Sequence, residues 1–345
     1  MSKSIDYASA GVNIDNADST KAGFSKILDN KNKNVINKVG AFASLYDISG
    51  LNYKHPVLVL KTEEPGSKQL LAIQHGRVRD ICFDMINHLT NDVIVMGAKP
   101  LTVQDAVICG KLEKSVVTEI VKGISDACLE NETVLTGGET SEQPGVIDPG
   151  RYILCSSMVG IVEREDIIDG SKISAGDAVV LLESSGMHTN GYSLVRALMR
   201  EYPDIVDADV AGKSFIEQIL VTHRAYYKSL KDLFPKGNIL GLAHITGGGI
   251  PGNLNRIIPD GLSAEVDLSK ILVLPIFKFI RSKANLSDPE MLKTFNLGAG
   301  LIIVVKPDAV KGITSHISGH GINAYPIGTI RKGAQKVSFA GSLRW

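Results

Sequence analysis

Strand-like and helix-like runs alternate along this chain, and the alternation predicts an α/β protein of the α+β type built from two domains. Three observations carry that prediction. At 345 residues the chain is too long for one ordinary core and suits two domains of middling size. Apolar residues make up 44% and charged residues 21%, a globular balance. Short apolar runs bounded by turn residues alternate with longer segments whose apolar positions keep helical spacing.

Taken in order, Pro56–Lys61 (PVLVLK) predicts a strand. Gly76–Ala98 predicts a helix, because Val78, Ile81, Cys82, Met85, Ile86 and Leu89 fall on one face. Lys114–Leu129 repeats the pattern with Val117, Ile120, Val121, Ile124 and Cys128. Tyr152–Val162 predicts a long strand. The polar, turn-rich Arg164–Asp177 then predicts a junction, dividing the chain into domains 1–168 and 169–345. Beyond it, Ala178–Ser184 predicts a strand, Gly191–Arg200 the start of a helix, Ser214–Leu233 a helical stretch and Gly300–Val305 a late strand.

Charge and cysteine content narrow the function classes. Lys+Arg and Asp+Glu both number 37, so bulk charge points to neither a nucleic-acid nor a membrane partner. Cys82, Cys109, Cys128 and Cys155 form no C-x-x-C pair, which argues against zinc and a disulfide framework and fits a reducing compartment. The N-terminus lacks the apolar core of a signal peptide, and no apolar run is long enough to span a bilayer. A cytoplasmic location is expected.

Five polar, glycine-bearing stretches interrupt the elements. Thr62–Lys68 (TEEPGSK) places two carboxylates before Pro-Gly and Ser-Lys, a set able to seat Mg²⁺ and phosphate or to be a charged surface turn. The helix over Gly76–Ala98 aligns Asp84, His88 and Asp92 as a polar stripe, either a solvated face or an orienting one. Asp105, in the mostly apolar LTVQDAVI, requires a partner, a metal or a site. Leu135–Gly145 (LTGGETSEQPG) is expected to be an acidic glycine turn in which Gly137 and Gly138 free the backbone beside Glu139. Ser184–Ser193 (SSGMHTNGYS) lies between a strand and a helix, where amides attract an anion and His188 can donate to it, with capping by Thr189 or Asn190 as the plainer role. Ala243–Gly252 (AHITGGGIPG) follows a strand, and its consecutive glycines suit a phosphate cradle better than a dinucleotide loop. His244 just before it can reach the same ligand or be a satisfied core histidine.

Taken together, the order and spacing of YASAGVNID, PVLVLKT, TNDVIVMGAKP, LTGGETSEQPG, SSGMHTNGYSLVR, AHITGGGIPGNLNRIIPDG and TFNLGAG resemble the phosphoribosylformylglycinamidine cyclo-ligase family from Tyr7 to about Ile330. The resemblance implies two α/β domains, with the N-terminal halves pairing into a barrel-like homodimer interface. It implies an ATP-dependent closure of formylglycinamidine ribonucleotide to aminoimidazole ribonucleotide, with Mg²⁺. Carried over by position, it implies that Asp92, Glu139 and Glu63 serve Mg²⁺ and that Asp105, Gly137 and Gly138 belong to the ATP site. Lys26 matches a lysine near ATP. His188, Thr189 and Asn190 match a motif near substrate and phosphate, and His244 with Gly247, Gly248 and Gly249 match a second histidine motif. Two stretches depart from the family pattern. TDGVGTK is TEEPGSK here, with Glu63 for aspartate and Glu64 for glycine. GGFGALY is GAFASLY (Gly40–Tyr46), with Ala41 and Ala43 for glycines. Both departures lie where the family handles nucleotide. They leave open a superfamily member with another substrate, or a paralogue that binds ribonucleotide without ATP chemistry.

Overall fold

The computed structural model describes residues 19–20, 23–24, 27–28, 32–37, 41–334 and 336–345. The expectations for Lys26, Gly40 and the YASAGVNID segment lie outside the described residues. The first half contains β1 (Pro56–Glu63), α1 (Lys68–Gln74), α2 (Val78–Ile94), β2 (Lys99–Cys109), α3 (Lys114–Glu130), β3 (Val134–Glu142) and β4 (Tyr152–Glu163). The second half contains β5 (Ala178–Glu183), α4 (Tyr192–Glu201), β6 (Ile239–His244), α5 (Gly249–Leu254), β7 (Leu262–Asp267), α6 (Pro275–Ala284), α7 (Asp288–Thr294), β8 (Ala299–Val305), α8 (Val310–Gly319), β9 (Ala324–Lys332) and β10 (Val337–Ala340). Shorter helical turns and a two-residue hairpin complete it.

The strands form two large sheets. The first runs β1-β4-β2-β3, with β2 and β3 parallel and the other pairs antiparallel. The second runs β10-β7-β9-β5-β8-β6, antiparallel except between β10 and β7. Apolar runs mark its buried centre: every residue of β8 is buried, as is Val179–Leu182 of β5. In the first sheet, α2 and α3 cover one face with the residues whose spacing predicted them. On the other face, among the described residues, apolar side chains stand exposed. Along β1, Val57, Val59, Lys61 and Glu63 turn inward while Leu58 and Leu60 stand 50% and 71% exposed, joined on that face by Ile153 at 40%. Among the described residues no helix is long and apolar enough to cross a membrane.

Two sequence expectations fail in instructive ways. Leu135–Gly145 is not a turn; its first eight residues belong to β3, an edge strand paired with β2 and met by Ser44 Oγ at Thr136 O, and the chain turns after Gln143. Ser214–Leu233 is not one helix. It breaks into Phe215–Ile219 and Tyr227–Leu230, with Val221–Tyr226 outside any helix or strand. The backbone of that break is satisfied by side chains of α2 instead of by its own turns. Asp84 accepts from His223 N (2.6 Å) and Asn87 donates to His223 O (2.7 Å). Asn91 accepts from Tyr226 N (3.1 Å) and donates to Arg224 O (2.8 Å). The polar stripe of α2 is therefore buried, and it fastens the first half of the chain to the second.

Candidate functional site

A groove of about 640 Å³ opens between the sheets. The end of β1 contributes Lys61, Glu63, Glu64 and Gly66, and α2 contributes His88 and Asp92. The loop before α4 brings Thr189 and Asn190; β6 and the turn after it bring His244, Thr246 and Gly247. Asn253 and Arg256 complete that wall. Strand alternation explains part of this convergence, since Lys61 and Glu63 share the inner face of β1.

Asp92 is the centre of the groove's polar network. His244 Nδ1 donates to its Oδ1 (2.7 Å), and Lys61 Nζ lies 3.0 Å from its Oδ2. The same ammonium is 3.1 Å from Glu63 Oε2, while Glu63 Oε1 accepts from Glu64 N (3.0 Å). His88 Nε2 stands 3.5 Å from Asp92 Oδ2 and 3.7 Å from Glu63 Oε2, and its Nδ1 is 2.9 Å from Thr189 Oγ1. Burial works against the charge of Asp92, but the hydrogen bond from His244 and the neighbouring positive groups hold its carboxyl well below the usual range. Burial, aided by His244, pushes His88 down to about 4 against the pull of Asp92 and Glu63. The groove therefore presents a fixed carboxylate beside a neutral imidazole at neutral pH.

His223 is the site residue that sequence reasoning missed, because it fell inside the expected helix. Its Nε2 lies 3.0 Å from His244 Nε2 and its ring stacks on His188 at 3.8 Å and 15°. Burial drives both His188 and His223 well below the ordinary histidine pKa. Lys61 was missed too, since it reads as the last residue of a strand. No sequence signal marked it beyond a lysine two positions before an acid.

Several expected roles shift. His188, expected to donate to an anion, is 1% exposed and lies behind the groove; its carbonyl accepts from Tyr192 Oη (3.2 Å) and its Nε2 from Ser185 N (3.3 Å). It holds the loop that presents Thr189 and Asn190. Gly248 and Gly249 do not line the groove; Gly248 caps α5 in a left-handed conformation and Gly249 serves packing. Gly249 has φ +59°, and a Cβ there would lie 1.8 Å from Leu292 O. Lys68, the lysine that closes TEEPGSK, is fully buried, its ammonium 2.8 Å from both Asp84 Oδ2 and Val221 O.

Asp105, Gly137, Gly138 and Glu139 gather elsewhere, in a cavity of about 410 Å³ also lined by Phe24, Phe42 and Ser44. Gly138 leaves room for its cross-strand neighbour: a Cβ there would sit 1.8 Å from Asp105 Oδ1. Burial lifts the Asp105 carboxyl to about 7. Glu139 thus does not join Glu63 and Asp92 in one ligand set. Those two acids fit a resident Mg²⁺ poorly as well. Mg²⁺ asks for an octahedron of oxygens. Each oxygen of Glu63 and Asp92 already meets a donor, from Lys61, Glu64 N or His244.

Comparison with known proteins agrees with this architecture. Residues 50–162 match the family model for the N-terminal domain of AIR synthase related proteins, and residues 174–340 match that for the C-terminal domain. Three similar proteins are each named phosphoribosylformylglycinamidine cyclo-ligase. The Geobacillus kaustophilus protein is 41% identical over 90% of each chain. That of Nitrosococcus oceani is 37% identical over 97% of this chain and 95% of its own. That of Carboxydothermus hydrogenoformans is 38% identical over 96% and 98%. Among solved structures, E. coli HypE, a hydrogenase maturation protein, superposes with a TM-score of 0.69 at 17% identity, covering 94% of each chain. Thiamine-monophosphate kinase from Stenotrophomonas maltophilia gives 0.66 at 16% identity, covering 95% and 96%. At such identities the structural likeness shows the fold alone. With both domain models matched in order and relatives aligned along nearly their full length, the chain belongs to the phosphoribosylformylglycinamidine cyclo-ligase family of AIR synthase related proteins.

Proposed function

We propose that the protein catalyses the ATP-dependent cyclisation of formylglycinamidine ribonucleotide to aminoimidazole ribonucleotide in purine biosynthesis, in the cytoplasm. The observation that carries this reading is the near full-length similarity to cyclo-ligases, 41% identity over 90% of the chain in one relative. In the reaction the γ-phosphoryl group of ATP passes to the amide oxygen of the substrate. An amidine nitrogen then attacks the activated carbon, the C–O bond breaks, and ADP and phosphate leave with a proton. Magnesium enters as part of the MgATP substrate, and no step is assigned to a resident ion.

The groove's own residues suit those demands. Phosphoryl transfer asks mainly for positioning and charge neutralisation. Lys61 and Arg256 bring positive charge, and Asn190, Thr246 and Gly247 bring hydrogen-bonding groups to the opposite wall. His244 is assigned the proton lost by the attacking nitrogen. Its bond to Asp92 fixes one proton on Nδ1 and stabilises the charge that uptake creates, and its Nε2, the remaining basic nitrogen, stands 3.0 Å from His223 Nε2, so uptake there requires that contact to open.

The Asp105–Glu139 cavity is assigned to ATP, with residues 1–168 and 169–345 as the two domains. The face of the first sheet on which Leu58, Leu60 and Ile153 stand exposed supports a homodimer closed across it. In that dimer the cavity of one chain meets the groove of the other, and ATP lies between them. ADP release that depends on formylglycinamidine ribonucleotide tests the assignment; no release with ATP, Mg²⁺ and that substrate rejects it.

A further inference from the structure

The two acids that the sequence offers as metal ligands meet a cation in this structure, and the cation belongs to the chain. Lys61 Nζ lies 3.1 Å from Glu63 Oε2 and 3.0 Å from Asp92 Oδ2. The remaining oxygens accept from Glu64 N and His244 Nδ1. Beside the same carboxylates stand the nitrogens of two buried imidazoles. His88 Nε2 is within 3.7 Å of both carboxylates, and donor atoms of His88, Asp92 and His244 lie within 4.8 Å of one another. Without the ammonium, one carboxylate and two imidazoles would offer donor atoms within 4.8 Å of one another, with Glu63 Oε2 at the side, 3.7 Å from His88 Nε2. That mixed nitrogen and oxygen set suits Mn²⁺ or a later transition ion better than Mg²⁺.

We propose that the ammonium of Lys61 plugs a latent divalent-cation site formed by Asp92, His88 and His244 with Glu63 at its side, so that the free protein carries its groove cation covalently and holds no metal there. Geometry favours the plug. Lys61 and Glu63 are two apart on β1 and point to the same face, so the lysine reaches the carboxylates without leaving its strand. A third of its side chain remains exposed, which leaves the ammonium accessible from the groove. The ammonium offsets the negative charge of the pair before any substrate arrives. The proposal rests on the groove's geometry and not on the reaction assigned to it.

The test is a Mn²⁺ titration of the purified full chain without substrate, read by electron paramagnetic resonance of free Mn²⁺. The wild-type protein and Lys61→Arg are expected to show no specific site. Lys61→Met and Lys61→Gln, each checked for a native melting transition, are expected to gain one site per chain, roughly ten-fold or more tighter than wild type, because a neutral side chain leaves the carboxylate pair without a cation. Adding Asp92→Asn to Lys61→Met should abolish the gain. A wild-type chain that already binds one Mn²⁺ tightly and loses it with Asp92→Asn overturns the proposal. So do folded Lys61→Met and Lys61→Gln proteins that bind no better than wild type.

Discussion

His244 Nδ1 donates to Asp92 Oδ1 across 2.7 Å, and this bond joins the last residue of β6 in the second sheet to α2 under the first. Asp92→Asn keeps the shape but removes the charge that favours a protonated imidazole. We expect kcat for substrate-dependent ADP release to fall by about 10²–10⁴-fold, with a smaller change in KM. His244→Gln should fall as far, and the double variant no further. Additive losses in that cycle would show that the two residues act separately.

The homodimer assignment makes a prediction of its own. Asp92→Asn damages the groove and Glu139→Gln the cavity, which in the proposed dimer complete one site from different chains. Mixing the two inactive proteins under exchange conditions should restore about a quarter of wild-type activity, since half the dimers are mixed and each has one intact site. Leu60→Asp, on the exposed apolar sheet face, should abolish the restoration and halve the mass seen by light scattering. Restoration that survives in a monomer would reject the arrangement.

Asp105 makes stability depend on pH. Burial raises its folded pKa to about 7, above the unfolded value of roughly 4. The folded state therefore binds the proton more tightly. The stabilisation is complete below about pH 4 and is lost as pH rises through about 7. Melting temperature should decline between pH 5 and 8, and Asp105→Asn should flatten that decline. A variant with an unchanged slope would assign the dependence to other groups.

The Lys68–Asp84 pair is fully buried, so removing one partner strands a charge. Lys68→Met should cost about 3–5 kcal/mol in urea unfolding. Lys68→Met with Asp84→Leu should recover much of the charge penalty, although Asp84 also accepts from His223 N. No recovery would mean that this backbone contact dominates.

Much of the fold was legible because period and burial coincide. The apolar face of α2 and the apolar run of β8 each declare themselves locally. The failures have tertiary causes. β3 contains two glycines and two acids, which suit a turn; Gly138 is there because Asp105 crosses it, and only the pairing to β2 makes the segment extended. The helix expected over Ser214–Leu233 opens where Asp84, Asn87 and Asn91 supply its backbone partners. The site was half legible for the same reason. Asp92, His244, Thr189 and Asn190 sit in recognisable stretches, whereas His223 became visible only once that opening placed it against His244. That two sets of acids occupy different cavities could not be read from spacing, because it follows from strand order.

Lys68 and Asp84 also bear on synthesis of the chain. Their completing partners, Val221 O and His223 N, lie 153 and 139 residues further along. During translation the first sheet and its helices emerge with a lysine and an aspartate that have no carbonyl and no amide to meet. Nascent chains halted before residue 221 should stay sensitive to protease. Release past residue 223 then acts as a latch, closing the early half with the late one.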